Sequence, residues 1–316
     1  MKAFLSCLVV VASLSNRGQL AAQASCRLSV PVIALASRPT GGFAANDLRA
    51  TVKGNEITIK EIKPPPATRR FVFVLDRSGS MVGVRGTQDS PVVYDLDRLM
   101  RQDVEQSLGE IPAGDSIAFL AFSGKKSSLS GFASQAAALA DLPAILAWKP
   151  GKGIHKTPLW QNIETALQML SPHEPGDVIV VVSDGRDNMS KLSKGRVQND
   201  LLRTGVPILA VIVANPYAPA TMEGADELRD FVGLADSTGG AAAVDDSALD
   251  TRFTMSAQLF RPNQLIPLLA HQYELEMETP PIQKREKWEL KANSTAAGRN
   301  LNLLYPRYLL PCTETH

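Results

Sequence analysis

The stretch Phe71-Val72-Phe73-Val74-Leu75-Asp76-Arg77-Ser78-Gly79-Ser80-Met81 decides the fold of this chain. Its first five residues are apolar, rich in Val and Phe, and too few for a buried helix. They therefore predict a strand that is buried on both faces. Such strands belong to parallel sheets covered by helices, and these sheets bind ligands at the carboxyl ends of their strands. The Asp-x-Ser-x-Ser sequence that follows stands where a binding site is expected.

The chain beyond this strand alternates apolar runs with helical patterns. Further strands are predicted at residues 117–122, 178–182, 208–213 and 241–244, and helices near 96–108, 159–170, 194–203 and 227–235. Repeated βα units predict an α/β fold with a doubly wound, mainly parallel sheet. Residues 127–132 predict a short strand at the edge of this sheet.

The two ends of the chain show the polar–apolar alternation of antiparallel strands. Residues 48–52 and 56–60 flank Gly54-Asn55 and predict a hairpin, and similar alternation covers 273–278, 287–291 and 301–305. We expect both ends to form one small β-sandwich with the α/β domain inserted in it. The predicted division is 25–66 for the first part with its Pro64-Pro65-Pro66 linker, 70–262 for the α/β domain, and 270–316 for the second part.

The first 24 residues predict a secretory signal peptide. Lys2 precedes an apolar stretch at residues 3–14, and Ala22-Gln23-Ala24 is a small-x-small cleavage site. An uncleaved membrane anchor is the alternative, although the apolar run is short for a membrane span. We therefore expect an exported protein, periplasmic or secreted, whose mature chain has no membrane span.

The mature chain would keep two cysteines, Cys26 and Cys312, because cleavage removes Cys7. An even pair in an oxidising compartment predicts a disulfide, with two free thiols as the alternative. In the entropic model, a disulfide that closes so long a loop constrains the unfolded chain and so raises the free energy of unfolding by an amount on the order of 4–5 kcal/mol.

The charge balance argues against a nucleic-acid partner. The chain has 33 Lys and Arg against 32 Asp and Glu, which gives a formal net charge of +1. The basic residues form no stripe of the kind that nucleic-acid-binding domains present.

Two further segments place oxygen ligands near the first motif. The apolar run at residues 178–182 ends in Ser183-Asp184-Gly185, which puts a second carboxylate at the end of a strand. A glycine-rich segment from Gly151 leads to Thr157, just before a predicted helix. Carboxylates and hydroxyls around one point suit a hard cation such as Mg²⁺.

These residues resemble the metal-ion-dependent adhesion site of the von Willebrand factor A (VWA) domain family, which consists of Asp-x-Ser-x-Ser, a distant Thr and a distant Asp. Residues 70–260 carry the resemblance, and the matching residues in order are Asp76, Ser78, Ser80, Thr157 and Asp184. The resemblance implies that the three hydroxyls bind the metal directly, and that the aspartates bind it directly or through water. It also implies that an Asp or Glu of a partner protein completes the metal shell.

The resemblance thus predicts a binding protein that is not an enzyme, with Mg²⁺ as the first candidate cation and Mn²⁺ or Ca²⁺ as alternatives. We expect Thr157 at the rim of the site and residues 82–93 beside it, where they would influence the choice of partner. Asp76 and Ser78 could merely cap the next helix, but a cap does not explain Thr157 and Asp184 in their matching contexts. Two alternatives stay open: the metal could be purely structural, or the site could belong to a metal-dependent hydrolase. The hydrolase has no evident general base beyond the ligands themselves.

Overall fold

The structure is a computed structural model that describes residues 25–36, 44–81, 84–85, 94–148, 156–213, 222–244, 259–293 and 301–312. The strands are β1 Cys26–Ala36, β2 Leu48–Val52, β3 Asn55–Lys63, β4 Arg70–Asp76, β5 Val84–Arg85, β6 Tyr94–Asp95, β7 Ser116–Ser123, β8 Lys126–Leu129, β9 Ala133–Ser134, β10 Asp177–Ser183, β11 Ile208–Ile212, β12 Ala241–Val244, β13 Leu259–Phe260, β14 Gln272–Thr279, β15 Glu286–Ala292, β16 Leu301–Leu304 and β17 Tyr308–Leu309. The helices are α1 Leu96–Gly109, α2 Gln135–Ala147, α3 Leu159–Met169, α4 Lys194–Thr204, α5 Met222–Ser237 and α6 Pro262–Leu268. The predicted signal peptide, residues 1–24, lies outside the described residues.

An eight-stranded sheet forms the centre of the α/β unit. Its strand order is β13-β12-β11-β10-β4-β7-β8, with β9 also paired to β7. The strands from β13 to β7 are parallel, whereas β8 and β9 run antiparallel to β7. This confirms the predicted α/β fold. The chain leaves β4 for β7 on one side and later returns to β10 on the other side. The carboxyl end of β4 is therefore a topological switch point, where open sheets bind ligands.

Helices cover both faces of β4, which explains its unbroken apolar sequence. Phe71, Phe73 and Leu75 pack in one core with residues of α1, α2 and α6, whereas Val72 and Val74 pack in the other core with residues of α3, α4 and α5. All five side chains are fully buried. Burial of each is worth roughly 1.5–3 kcal/mol relative to exposure.

Four predicted helices are present as α1, α3, α4 and α5, and two helices were not predicted. Helix α2 was not predicted because its sequence is rich in Ala and contains Pro143, and it shows no apolar stripe of helical period. It buries few side chains. Helix α6 begins at Pro262, where the predicted domain ends, yet its Leu265 and Ile266 pack in the core of the α/β unit. The α/β unit thus extends through α6. In the described part of the chain, no helix is long and apolar enough to cross a membrane.

The two ends of the chain share one antiparallel sheet, as expected. Its order is β16-β1-β14-β3-β2-β15-β17, so three strands precede the α/β unit and four follow it. The predicted division into two packed sheets is not confirmed, because all seven strands form one hydrogen-bonded path. Strand β3 pairs with two strands along its length: residues 55–57 pair with β2 and residues 58–63 with β14. A register shift interrupts the β3–β14 pairing between Ile59 and Glu61. The sheet curls on itself, since Trp288 of β15 contacts Tyr305 after β16 with ring centroids 5.1 Å apart.

The predicted hairpin is formed by β2 and β3, but its turn lies one residue earlier than Gly54-Asn55. Lys53 has φ 50° and Gly54 has φ 80°. Two successive residues with positive φ are typical of a type I′ turn, whose twist matches that of the flanking strands.

The predicted disulfide is present. Cys26, the first residue of β1, is bonded to Cys312, and their Cα atoms are 6.1 Å apart. The N–H of Cys312 also donates to the carbonyl of Ile282 at 2.9 Å. The disulfide therefore joins the first strand of the curled sheet to its last segment.

Candidate metal site

The turn after β4 brings the first three predicted ligands together. Asp76 ends β4 and is fully buried, and its Oδ1 accepts a hydrogen bond of 2.9 Å from the N–H of Ser78. The Oγ atoms of Ser78 and Ser80 are 3.1 Å apart. Ser78 is buried, while Ser80 keeps some exposure to solvent. One carboxylate and two hydroxyls thus face a common point at the switch of the sheet.

The second carboxylate lies next to this turn because β10 is the neighbour of β4. Asp184 directly follows β10, and Ser183 donates a hydrogen bond of 2.7 Å to Oδ2 of Asp76. The next residue, Gly185, has φ +82°, and an added Cβ would lie 3.1 Å from the side chain of Phe231. The turn that presents Asp184 therefore needs glycine at this position.

Thr157 is held at the same edge by hydrogen bonds to the segment after Asp184. Its N–H donates to Asn188 Oδ1 at 2.7 Å, and the N–H of Asn188 donates back to the Thr157 carbonyl at 3.1 Å. The carbonyl of Lys156 accepts from the N–H of Gly124, just beyond β7, at 2.9 Å. Thr157 is 3% exposed. The expectation that Thr157 lies at the rim of the site is wrong, because these hydrogen bonds hold Thr157 in a buried position between the loops.

The two carboxylates repel each other at this edge. Burial and, to a smaller extent, the charge of Asp184 raise the pKa of Asp76 to about 7, although hydrogen bonds from Ser183 and Ser78 act in the opposite direction. A dication beside both carboxylates would relieve this repulsion. The donor set of two carboxylates and three hydroxyls fits a hard oxygen-seeking cation such as Mg²⁺.

The composition of this site differs from that of a carboxylate- or histidine-rich metal centre. In the part of the chain that the structure describes, no three side chains of His, Cys, Asp or Glu are grouped so that they could hold a metal ion. The five predicted residues include two carboxylates, so any cation here would depend on the hydroxyls for much of its shell.

Two arginines border the site. Arg77 is buried, and its Nη1 lies 2.6 Å from Oδ1 of Asp97 in the first turn of α1. The Nε of Arg186 lies 3.8 Å from Oδ2 of Asp184 and 3.8 Å from Oε2 of Glu227. Arg186 therefore already supplies positive charge to one predicted ligand.

Three residues outside the predicted ligand set support the site. Asp187 accepts from the N–H of Trp160 at 2.9 Å and so caps α3, Asn188 holds Thr157, and Ser183 bonds to Asp76. The signal for Ser183 was its position directly after the apolar run at residues 178–182. The pairing register of β4 and β10 then decides that it reaches Asp76.

Part of the predicted surroundings lies outside the described residues. Of residues 82–93, the structure describes 84 and 85, which form β5 and pair with β6. The glycine-rich segment from 151 to 155 is not described. The expected influence of these segments on partner choice stays a prediction.

The chain was compared with known families and structures. No protein-family model matches the sequence, and the search of curated proteins found no match. Among solved structures, an aerotolerance-related membrane protein from Bacteroides fragilis has 15% identity and a TM-score of 0.45, over 63% of this chain and 98% of that chain. A von Willebrand factor type A structure from Catenulispora acidiphila has 11% identity and a TM-score of 0.42, over 91% of this chain and 74% of that chain. The SpRpn10 VWA domain has 12% identity and a TM-score of 0.39, over 64% of this chain and 93% of that chain.

These scores are too low to argue for any shared function, so the chain's own features define its class. The structure has the doubly wound, mainly parallel sheet that the sequence predicts, and the α/β unit has a VWA-like fold.

Proposed function

We propose that this chain is an exported binding module that holds a divalent cation and uses it to engage an acidic side chain of a partner protein. The ligands would be Asp76, Ser78, Ser80, Thr157 and Asp184, with Mg²⁺ as the first candidate and Mn²⁺ or Ca²⁺ as alternatives. The observation that carries the proposal is the meeting of Asp76 and Asp184 at the ends of neighbouring strands, where the pKa of Asp76 is raised to about 7.

The ligand chemistry explains why such a cation would bind a partner. Three of the five ligands are neutral hydroxyls, so the protein supplies at most two negative charges. A dication held in this way still attracts a further carboxylate, which forms a charge-assisted bond that a neutral group cannot match. Asp76, Ser78 and Thr157 are buried, whereas Ser80 and Asp184 keep some exposure. A partner would therefore approach from the side of Ser80 and Asp184.

Binding is favoured over hydrolysis because the described histidines lie away from the site. The carboxylates near it are already engaged: Asp97 forms an ion pair with Arg77, Asp187 accepts from the N–H of Trp160, and Glu227 lies 3.8 Å from Arg186. The histidines that the structure describes are His173, in the turn before β10, and His271, in the turn before β14. Both lie next to the amino ends of strands, away from Asp76. Export is supported by the Cys26–Cys312 disulfide, since disulfides persist in oxidising compartments.

The test has a metal arm and a partner arm. Mg²⁺ that binds the folded state at a hundredfold excess over its Kd should raise stability by about 2.7 kcal/mol. Asp184→Ala should lose most of this rise in a thermal melt. Asp141→Ala, which changes an exposed residue of α2, should keep it. A wild type that does not respond to Mg²⁺, Mn²⁺ or Ca²⁺ would overturn the metal site.

The partner arm uses immobilised protein exposed to envelope extract of the source organism, with Mg²⁺ or with EDTA. Capture with Mg²⁺, release with EDTA and no capture by Asp184→Ala are expected. Replacing the contacting Asp or Glu of the captured partner by Asn or Gln should then abolish binding. A metal response without metal-dependent capture would indicate a structural metal. Mg²⁺-dependent hydrolysis of a phosphate ester that Asp184→Ala loses would indicate a hydrolase.

A further inference from the structure

A second candidate site lies at the opposite end of the α/β unit from the metal site. A cleft of roughly 1110 Å³ opens where the curled sheet meets the amino ends of β10 and β11. Residues 27–31 of β1 and residues 308–311 line the curled-sheet side, and residues 173–176 and 202–205 line the α/β side. We call this space the basal cleft.

The basal cleft coincides with a gap in the curled sheet. Strand β1 pairs with β14 from Cys26 to Ile33, but on its other side it pairs with β16 from Ile33 to Ala36. The chain after β16 begins beside β1 at Leu304 and returns to it at the Cys26–Cys312 disulfide. In between, β17 pairs with β15 instead.

Both walls of the gap therefore carry strand edges without a partner strand. Within the described residues, no backbone hydrogen bond joins 27–31 to 305–311, and the order of the sheet ends at β17. An exposed strand edge presents unpaired N–H and C=O groups that an extended peptide can meet.

Side chains around the gap alternate in character. Along β1, Val30 and Val32 are buried in the core of the curled sheet, whereas Arg27 and Ser29 are exposed on the other face. On the opposite wall, Leu309 is buried in the same core. A strand inserted in the gap would follow the same pleat, with alternate side chains on the core face and on the face of Arg27.

The cleft is lined by more cations than carboxylates. Arg27 lies opposite Glu278 in the pairing of β1 with β14, but Glu278 also forms an ion pair with Lys60, so the two cations share one carboxylate. Among the described residues, Lys284 makes no ion pair within 4 Å. Arg285 contacts neutral groups: its Nη1 donates to Asn199 Oδ1 at 3.1 Å, and its guanidinium carbon lies 3.9 Å from the ring centroid of Tyr308.

The other charges that line the cleft are already compensated. Lys63 and Arg203 form ion pairs with carboxylates of their own neighbourhood. Glu274 lies opposite Lys63 in the pairing of β14 with β3, and Glu174 lies 3.9 Å from Nη1 of Arg70. An acidic ligand would thus find Lys284 and Arg285 without an ion-pair partner among the described residues and Arg27 with a shared one, which is the complementarity that favours its binding.

We propose that the basal cleft binds an extended acidic segment of a partner protein, which adds as a strand to the free edge of β1. Its carboxylates would face Arg27, Lys284 and Arg285, and the alternate apolar side chains would lie beside Val30 and Leu309. This site shares no residue with the metal site and requires no metal.

The first arm of the test measures affinity in EDTA, with a fluorescein-labelled peptide Glu-Val-Glu-Val-Glu-Val-Glu as the probe. Saturable binding is expected by fluorescence anisotropy. The double variant Arg27→Glu/Lys284→Glu should bind about tenfold more weakly. The matched control Lys125→Glu/Lys126→Glu, two exposed residues at the other end of the α/β sheet, should bind like wild type. No binding by wild type, or equal loss in both variants, would overturn the proposal.

The second arm tests strand addition. Peptide should slow hydrogen exchange at those amides of residues 27–30 that do not bond to β14, and a probe with N-methylated valines should not bind. Binding without slowed exchange would mean a charge contact only. Slow exchange at these amides before peptide is added would mean that another segment of this chain fills the gap. Equal displacement of the probe by heparin would mean a general polyanion surface. Each of these results contradicts the proposal, and because EDTA is present, none of them bears on the metal site.

Discussion

The hydroxyl of Ser183, at the end of β10, donates a hydrogen bond of 2.7 Å to Oδ2 of Asp76, at the end of the neighbouring strand β4. Both residues are fully buried. This hydrogen bond fixes the orientation of the Asp76 carboxylate, a predicted metal ligand, while Ser183 itself is not one of the predicted ligands. On the other side of β4, Ser123 ends β7, and its buried hydroxyl has no hydrogen-bond partner among the described residues. Each serine ends a strand that neighbours β4, but the register places Ser183 level with Asp76, whereas Phe122 and not Ser123 is paired with Asp76 on the other side.

This difference gives a matched pair of variants. Ser183→Ala should lower Mg²⁺ affinity about tenfold or more, because removing a group that orients a ligand typically has this effect. It should also lower the free energy of unfolding by about 1–3 kcal/mol. Ser123→Ala should leave both quantities unchanged or slightly raise stability. Titration calorimetry and urea denaturation would measure them, and equal effects of the two variants would contradict the assigned role of Ser183.

Arg186 should compete with the cation for Asp184. Since its Nε lies 3.8 Å from Asp184 Oδ2 and its side chain is 38% exposed, the interaction is screened by solvent. Arg186→Gln should therefore raise Mg²⁺ affinity by roughly two- to fivefold. Arg196→Gln, which removes a similar exposed ion pair with Asp200 on α4, should not change the affinity. A weaker metal affinity in Arg186→Gln would show that the arginine organises the site instead of competing.

The hydroxyl of Thr157 can be tested apart from its burial. Thr157→Ser keeps the hydroxyl, whereas Thr157→Val keeps the shape and removes it. We expect the Ser variant to retain the stabilisation by Mg²⁺ and the Val variant to lose most of it, as followed by thermal melts with Mg²⁺ and with EDTA. Comparing each variant with itself, with and without metal, separates metal binding from the cost of changing a buried residue. Equal responses in both variants would remove Thr157 from the ligand set.

Asp115 should make stability depend on pH. Burial raises its pKa, while a hydrogen bond from the Arg69 N–H and the charge of Arg69 act in the opposite direction. A carboxyl with a raised pKa in the folded state binds its proton more tightly there than in the unfolded chain. The free energy of unfolding therefore falls as the pH rises above 3.8 through the raised pKa.

Asp115→Asn cannot lose a proton, so it should gain stability relative to wild type between pH 4 and pH 7. Urea denaturation at pH 4 and at pH 7 measures the free energy of unfolding of both proteins, and the advantage of the variant over wild type should be larger at pH 7. Asp141→Asn serves as the exposed control and should show no such change. A constant difference between wild type and Asp115→Asn would contradict the raised pKa.

Removing the disulfide should lower the free energy of unfolding more than any of the other substitutions. Cys26 and Cys312 are separated by 286 positions in sequence. In the entropic model, opening so long a loop lowers the free energy of unfolding by roughly 4–5 kcal/mol. Cys26→Ser/Cys312→Ser should show this loss in urea. A reductant should lower the stability of wild type without affecting the variant.

The sequence predicted those features that depend on neighbouring residues. The buried strands β4 and β10 follow from runs of apolar residues. Four of the predicted ligands follow from short motifs at the ends of those runs, and Thr157 from the glycine-rich segment before α3. The helix α2 could not be predicted in the same way. Its alanines leave no apolar stripe, and Pro143 argues against a helix, yet packing of Ala138 and Leu142 on the sheet stabilises it.

Features that depend on the exact register or contact between two segments could not be predicted, although the sharing of one sheet by the two chain ends and the Cys26–Cys312 disulfide could. The contact of Ser183 with Asp76 follows from the register of two strands, and the bond of Asn188 to Thr157 joins two loops. The single curled sheet results because β3 pairs with two different partners along its length. Residue patterns along the chain carry no information about such choices.

The position of the disulfide also has a mechanical consequence. The α/β unit lies entirely between Cys26 and Cys312, so tension applied to the polypeptide outside these residues passes through the covalent S–S bond. The inserted unit then bears no load along its backbone. The predicted metal site would keep the same geometry whether the protein is free or stretched between two anchoring points, and reduction of the disulfide would transfer the force to the sheet that carries Asp76.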